Sequence, residues 1–316
     1  MSRKNFILAS AVLALAIICG APSLFAQDSQ AASSGTLQVT VTARAKHGNG
    51  PAPALAAQDV TVHEDRNPRP VVSLVPLKGN SPLQLVIFID SDSTVRLGAQ
   101  FQDVSQFIQA LPPDAAVALA YAMNGSARMD QSFTTDRAAI SKALHVTFGP
   151  SAGNTSIYAA LSDLIKEWPA GSGRRAVLLV SDGIDPTYGF SDTQPDQNPG
   201  LQRAIRDAQE NGITVFSIFV SSGRETRNGF LNLNGQGSLD ELTSYTGGYA
   251  FSQGTQTPVS FRPFLDDLQT MLGQQYLLTF RSMPVSKAGF YDLKVNTEIS
   301  DVKLLAPNRV YVPASR

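Results

Sequence analysis

A doubly wound, mostly parallel α/β sheet with small flanking β segments is the architecture this sequence predicts. Two observations carry the expectation. From Leu83 onward the chain runs in continuous apolar stretches, the pattern of strands buried on both faces by crossover helices. Between those stretches apolar residues recur at helical spacing, so strands and helices alternate along the chain.

The first residues bear on compartment. Arg3 and Lys4 precede an uncharged apolar run from Phe6 to about Cys19, followed by Gly20, Pro22 and a small-residue exit at Ala26. That is the layout of a secretory signal peptide over residues 1–26. The run falls short of the about 20 apolar residues of a membrane-spanning helix and no later stretch approaches that length, so no stable membrane insertion is expected. Cys19 follows Ile17 and Ile18, whereas a lipoprotein signal needs a small residue there. As the only cysteine, it would leave with the signal. The exported product, starting near Gln27, is expected to be soluble, free of disulfides, and periplasmic or extracellular.

A Ser/Ala-rich spacer covers residues 27–35, and an N-terminal β segment follows over residues 36–78. In it Thr36 to Thr42 alternates through Leu37, Val39 and Val41, as a half-buried strand does. Val60 to His63 and Pro70 to Leu74 flank Glu64-Asp65-Arg66-Asn67-Pro68, which has turn chemistry. The main domain is expected over residues 82–272, with strands at Leu83 to Ile89, Val117 to Met123, Ala176 to Val180 and Ile213 to Val220. Phe101, Val104, Phe107, Ile108 and Leu111 mark one helix, and Ile157, Leu161, Leu164 and Ile165 another. Arg128 to Phe133 returns after only Asn124-Gly125-Ser126-Ala127, which implies an antiparallel edge hairpin. After Gly247-Gly248, a short strand from Tyr249 to Ser252 and a helix from about Val259 to Leu272 close the domain. A C-terminal β segment, residues 276–316, holds four short strands: Tyr276 to Phe280, Tyr291 to Val295, Val302 to Leu305 and Val310 to Val312.

Charge excludes one class of partner. With 25 basic and 26 acidic residues, a net charge of −1 and no basic run, the chain is not built to bind a phosphate backbone, so no nucleic acid is expected.

In a doubly wound sheet ligands gather outside the carboxyl ends of the strands. Three such loops are rich in oxygen: Asp90-Ser91-Asp92-Ser93-Thr94, Gly153-Asn154-Thr155-Ser156, and Ser181-Asp182-Gly183-Ile184-Asp185. Carboxylates and hydroxyls without His or Cys suit a hard cation, Mg²⁺, Mn²⁺ or Ca²⁺, and not zinc. Each residue also has a plainer reading. Asp90, Ser93 or Thr94 can cap the following helix, and Asp182-Gly183 can be a turn. Asp185, Asp192 and Asp196 lie in a long polar stretch and are expected to be solvated. His47, His63 and His145 are scattered over separate segments, as satisfied or exposed histidines are.

Those three loops, in this order, resemble the metal-ion-dependent adhesion site of the von Willebrand factor type A family. That family uses Asp-x-Ser-x-Ser after the first strand, a Thr in a later loop and an Asp after the fourth strand. The resemblance assigns Asp90, Asp92 and Thr94 to the first motif, Thr155 to the second and Asp182 to the third, and spans roughly Pro82 to Leu272. Asp59-Val-Thr-Val-His-Glu-Asp and the closing strands resemble the flanks of secreted bacterial members. It implies a non-enzymatic protein that binds a protein partner, the partner itself unidentified, or mediates adhesion. This chain departs from the pattern at Asp92, where a carboxylate replaces a serine. A metal held directly by Asp92 would be better neutralised and would attract an outside anion less.

Asp90-x-Asp92-x-Thr94 after an apolar strand also resembles the opening motif of haloacid dehalogenase-like phosphatases, which would make Asp90 a nucleophile. That family needs a lysine at the phosphate, whereas Lys142 and Lys166 fall inside apparent helices. No Gly-x-Ser-x-Gly elbow is present, and Gly235-x-Gly237 lacks the third glycine and preceding strand of a nucleotide loop. A scaffold that binds partners without any metal is the third reading.

Overall fold

The computed structural model describes residues 35–48, 50–147, 156–171, 173–187, 193–221 and 230–314. Four strands come first: β1 (Thr36–Ala45), β2 (Val60–Glu64), β3 (Asn67–Arg69) and β4 (Val71–Pro76). The α/β region follows with β5 (Leu83–Asp90), α1 (Gln100–Ala110), β6 (Ala116–Met123), β7 (Ser126–Thr134), α2 (Arg137–Ala143), α3 (Ile157–Lys166) and β8 (Arg174–Ser181). It continues through α4 (Pro199–Glu210), β9 (Ile213–Phe219), α5 (Phe230–Tyr245), β10 (Ala250–Phe251) and α6 (Arg262–Gly273). The last strands are β11 (Gln275–Arg281), β12 (Gly289–Thr297), β13 (Val302–Leu305) and β14 (Arg309–Val312).

The central sheet has the order β10-β9-β8-β5-β6-β7 and is parallel except for β7. Its continuous apolar strands follow from burial on both faces. On β5, Leu85, Ile87 and Ile89 pack with Val104, Phe107 and Ile108 of α1 and Leu265 and Leu268 of α6. Val86 and Phe88 face the other way, onto Tyr158 and Leu161 of α3, Leu201 and Ile205 of α4, and Leu239 of α5. The β6–β7 hairpin is joined by Asn124 and Gly125, both at positive φ (53° and 78°), the left-handed pair that a two-residue hairpin turn demands.

The outer strands behave differently from local hairpins. β1 pairs antiparallel with β11, Thr36 opposite Arg281 and Thr42 opposite Gln275, and β2 pairs with β12. The two four-stranded sheets, β13-β1-β11-β4 and β14-β12-β2-β3, share a core of Val39, Val41, Val62, Leu278, Phe280, Leu293 and Val310. The β segments that precede and follow the α/β region therefore build one β sandwich. Asp65 and Arg66, at φ 46° and 69°, turn β2 into β3, and the chain then crosses at Pro70 to the other sheet as β4.

Two arginines are among the contacts that join the sandwich to the α/β region. Arg44 of β1 reaches Asp267 of α6 at 2.7 Å and lies over the Tyr249 ring, 4.1 Å from its centroid. Arg174 donates to the Leu272 carbonyl at the end of α6 and, at 2.9 Å, to Gln275 Oε1. Burial pushes the Arg174 guanidinium down to about 10. These contacts sit at the amino ends of the parallel strands, which leaves the carboxyl edge to the loops.

Candidate functional site

β5 and β8 are neighbours in parallel register, Ile89 opposite Val180, so Asp90 and Ser181 leave the sheet side by side. Ser181 Oγ donates to Asp90 Oδ2 at 2.9 Å and accepts from Gly183 N at 3.0 Å. Asp90 Oδ1 accepts from Asp92 N at 3.1 Å and so caps the 3-10 turn Ser91–Arg96. The plainer capping role thus holds for Asp90, yet its carboxylate still borders open space. Asp182 is buried, and its Oδ1 accepts from Ile184 N at 2.9 Å.

Helix packing fixes the Asp182–Gly183 loop. Gly183 takes φ +69°, and α5 passes so close that a Cβ on Gly235 would lie 2.0 Å from the Asp182 carbonyl oxygen. Gly235 therefore sits inside a helix, where it permits backbone contact with the loop, and belongs to no nucleotide loop.

Across the gap, Ser156 is the N-cap of α3, its Oγ accepting from Ala159 N at 3.0 Å. Asp90, Asp92, Ala122, Gly125, Ser156, Ile157 and Ile184 enclose a cleft of about 10 Å³, room for about one water-sized body. Burial pushes the Asp90 carboxyl up to about 7, with the charges of Asp182 and then Asp92 adding to the shift.

The five sequence-predicted ligands are distributed unequally. Asp90 and Asp92 line the cleft, and Asp182 stands close enough to repel Asp90. Thr94 lies outside the cleft lining and is fully buried. Its hydroxyl is 2.8 Å from both the Ser91 carbonyl oxygen and Thr147 Oγ1. Thr155 lies outside the described residues, and its neighbour Ser156 is the hydroxyl from that loop found at the cleft. Asp185 differs from the expectation that it is solvated. It is 1% exposed, not solvated, because it accepts from Ser156 Oγ and, at 3.1 Å, from Thr187 N. Asp196 is exposed as expected, and Asp192 lies outside the described residues. His47 and His145 are exposed and His63 is on β2, none of them at the cleft.

The donor set suits a small hard cation: carboxylate and hydroxyl oxygens around a space of one ion's size, with repulsion that a positive charge relieves. Among the described residues no three Asp, Glu, His or Cys side chains converge tightly enough to form an ion cage by themselves. Serine and water oxygens would have to complete the shell. A larger open cavity, about 500 Å³, lies in the sandwich by Val60, Val62, Pro68 and Arg69, on other elements than the cleft.

No protein-family model matches the chain, and no curated protein matches it in sequence. Solved structures do resemble it. An aerotolerance-related membrane protein from Bacteroides fragilis aligns at 15% identity over 60% of this chain and 98% of its own, with a TM-score of 0.44. The vWF domain of a type V pili tip protein from Porphyromonas gingivalis aligns at 12% identity over 60% and 94%, with a TM-score of 0.44. A VWA domain of the Rpn10 type aligns at 16% identity over 58% and 93%, with a TM-score of 0.40.

Proposed function

We propose that this is an exported, non-enzymatic interaction protein of the von Willebrand factor type A kind, whose carboxyl-edge cleft takes one divalent cation. The observation that carries the reading is the cleft itself, where Asp90 and Asp92 face Ser156 across a space of one ion's size and burial, reinforced by the charges of Asp182 and Asp92, pushes the Asp90 carboxyl up to about 7. Asp90, Asp92 and Ser156 would hold the ion, with Asp182 as a nearby counter-charge. The ion supplies positive potential at a rim of loops, and the loops supply recognition of a protein partner. Among the described residues no helix is long and apolar enough to cross a membrane.

Geometry disfavours the phosphatase reading. Lys166 is the last residue of α3, whose first turn borders the cleft, so it lies roughly 14 Å down the helix at 1.5 Å per residue. Lys142 is exposed on α2. No lysine, arginine or histidine lines the cleft among the described residues. Melting curves in Mg²⁺, Mn²⁺, Ca²⁺ and chelator, run beside a phosphomonoester assay, test the reading. An ion at a hundredfold excess over its Kd adds about 2.7 kcal/mol, which a melting curve resolves. Phosphatase turnover abolished by Asp90→Asn would overturn the proposal in favour of its rival. Identical melting in ion and chelator would favour a metal-independent scaffold.

A further inference from the structure

We propose that Asp185 is a positioning residue for this site, holding Ser156 so that the serine's oxygen lone pair, and not its hydroxyl hydrogen, faces the cleft. The inference rests on the cation reading above. A serine hydroxyl has one hydrogen and two lone pairs. At Ser156 the hydrogen goes to Asp185 Oδ2 and one lone pair receives Ala159 N–H at 3.0 Å. Only a lone pair is left for the cleft that Ser156 lines.

A helix cap alone does not need this arrangement. An N-cap serine has only to accept a backbone N–H, and burying a carboxylate to 1% exposure is costly without several partners. The fold supplies them: Thr187 N donates to Asp185 Oδ1 at 3.1 Å, and the carboxylate lies at the positive start of the 12-residue helix α4. A Cβ on Gly200, in the first turn of α4, would come within 2.9 Å of Asp185 Oδ2 and 3.2 Å of Ser156 Oγ, so the glycine leaves room for the pair. Asp185 Oδ2 accepts the serine hydrogen while Ala159 N–H occupies one lone pair, so that hydrogen is not available to the cleft. Ser156 then adds an acceptor to the cleft beside the carboxyls of Asp90 and Asp92, which favours a cation or a donor over an anion. Asparagine at position 185 would keep the shape but could donate to Ser156 Oγ, releasing the hydroxyl hydrogen towards the cleft.

Mn²⁺ calorimetry on the full exported chain tests this, with native protein, Ser156→Ala, Asp185→Asn and the double variant, each checked for cooperative melting. Supporting residues behind metal ligands typically contribute 10–100-fold in affinity, so Asp185→Asn should weaken Mn²⁺ binding by about that factor. In the Ser156→Ala background it should add nothing, because its effect runs through the serine. Gly200→Ala, which crowds the carboxylate without changing any donor, should also weaken binding and keeps the test open if Asp185→Asn does not fold. Native binding with unchanged affinity in Asp185→Asn, or full additivity in the double variant, overturns this proposal alone. No Mn²⁺ binding by native protein overturns the cation reading and this inference together.

Discussion

Ser181 Oγ donates to Asp90 Oδ2 at 2.9 Å across the ends of two neighbouring parallel strands. The bond aligns the Asp90 carboxylate but does not neutralise it. Enclosure by loops and the charges of Asp182 and Asp92 outweigh it, and Asp90 stands at about 7.

That value fixes the sign of a pH effect. The folded pKa lies above the about 3.9 of an aspartate in an unfolded chain. Below about pH 4 both states hold the proton and no penalty exists. Between about pH 4 and the folded value, the unfolded chain releases the proton first, so stability falls as pH rises and levels off above about 7. Thermal unfolding from pH 4 to 8 in chelator should show this decline, and Asp90→Asn should remove it. Added Mg²⁺ should oppose the decline by taking the proton's place. Coincident profiles for native and Asp90→Asn protein would contradict the assignment.

Gly235→Ala has an expected effect opposite to helix propensity. In an exposed helix interior the change would gain about 1 kcal/mol. Here the new Cβ would meet the Asp182 carbonyl oxygen at 2.0 Å, so α5 and the Asp182 loop must separate. Overpacking of this kind costs about 1–3 kcal/mol. Urea unfolding should give a lower midpoint, and metal-dependent stabilisation should shrink with it. A gain in stability would mean the loop does not rest on α5.

Arg44→Ala tests the join between the sandwich and the α/β region. It removes the 2.7 Å contact with Asp267 and the cation over Tyr249, and leaves the Asp267 carboxylate, itself 7% exposed, without that guanidinium. Stranding a buried acceptor costs about 1–3 kcal/mol. A matching drop in the urea midpoint is expected, with Mn²⁺ affinity unchanged because the contact is at the opposite edge of the sheet from the cleft. A large loss of Mn²⁺ affinity would contradict that separation.

Much of this organisation could be read from local patterns, and its gaps have physical causes. Continuous apolar strands gave β5, β6, β8 and β9 because a parallel strand covered on both faces has no polar alternation to hide. Asn124-Gly125 gave the β7 hairpin through the left-handed turn it favours. The pairing of β1 with β11 had no local signal, since a register set across most of the chain leaves no mark within either segment. Pro70 to Leu74 read as the segment across a turn from Val60 to His63, whereas the chain crosses at Pro70 from one sheet to the other. At the site, Asp90, Asp92 and Asp182 were legible from their place after apolar strands. Asp185 was not, because its burial depends on Ser156 and on the start of α4. Thr147, which shares the hydroxyl of Thr94, carried no motif at all.

Mn²⁺ calorimetry on native, Asp92→Ser and Asp90→Asn protein tests whether a divalent cation is held between Asp90 and Asp92. One Mn²⁺ per native chain is expected, with weaker retention in Asp92→Ser, where a carboxylate is replaced by a hydroxyl, and no measurable binding in Asp90→Asn. A native protein that takes up none of Mn²⁺, Mg²⁺ and Ca²⁺ at millimolar concentration, or an Asp90→Asn protein that binds as the native one does, would contradict it.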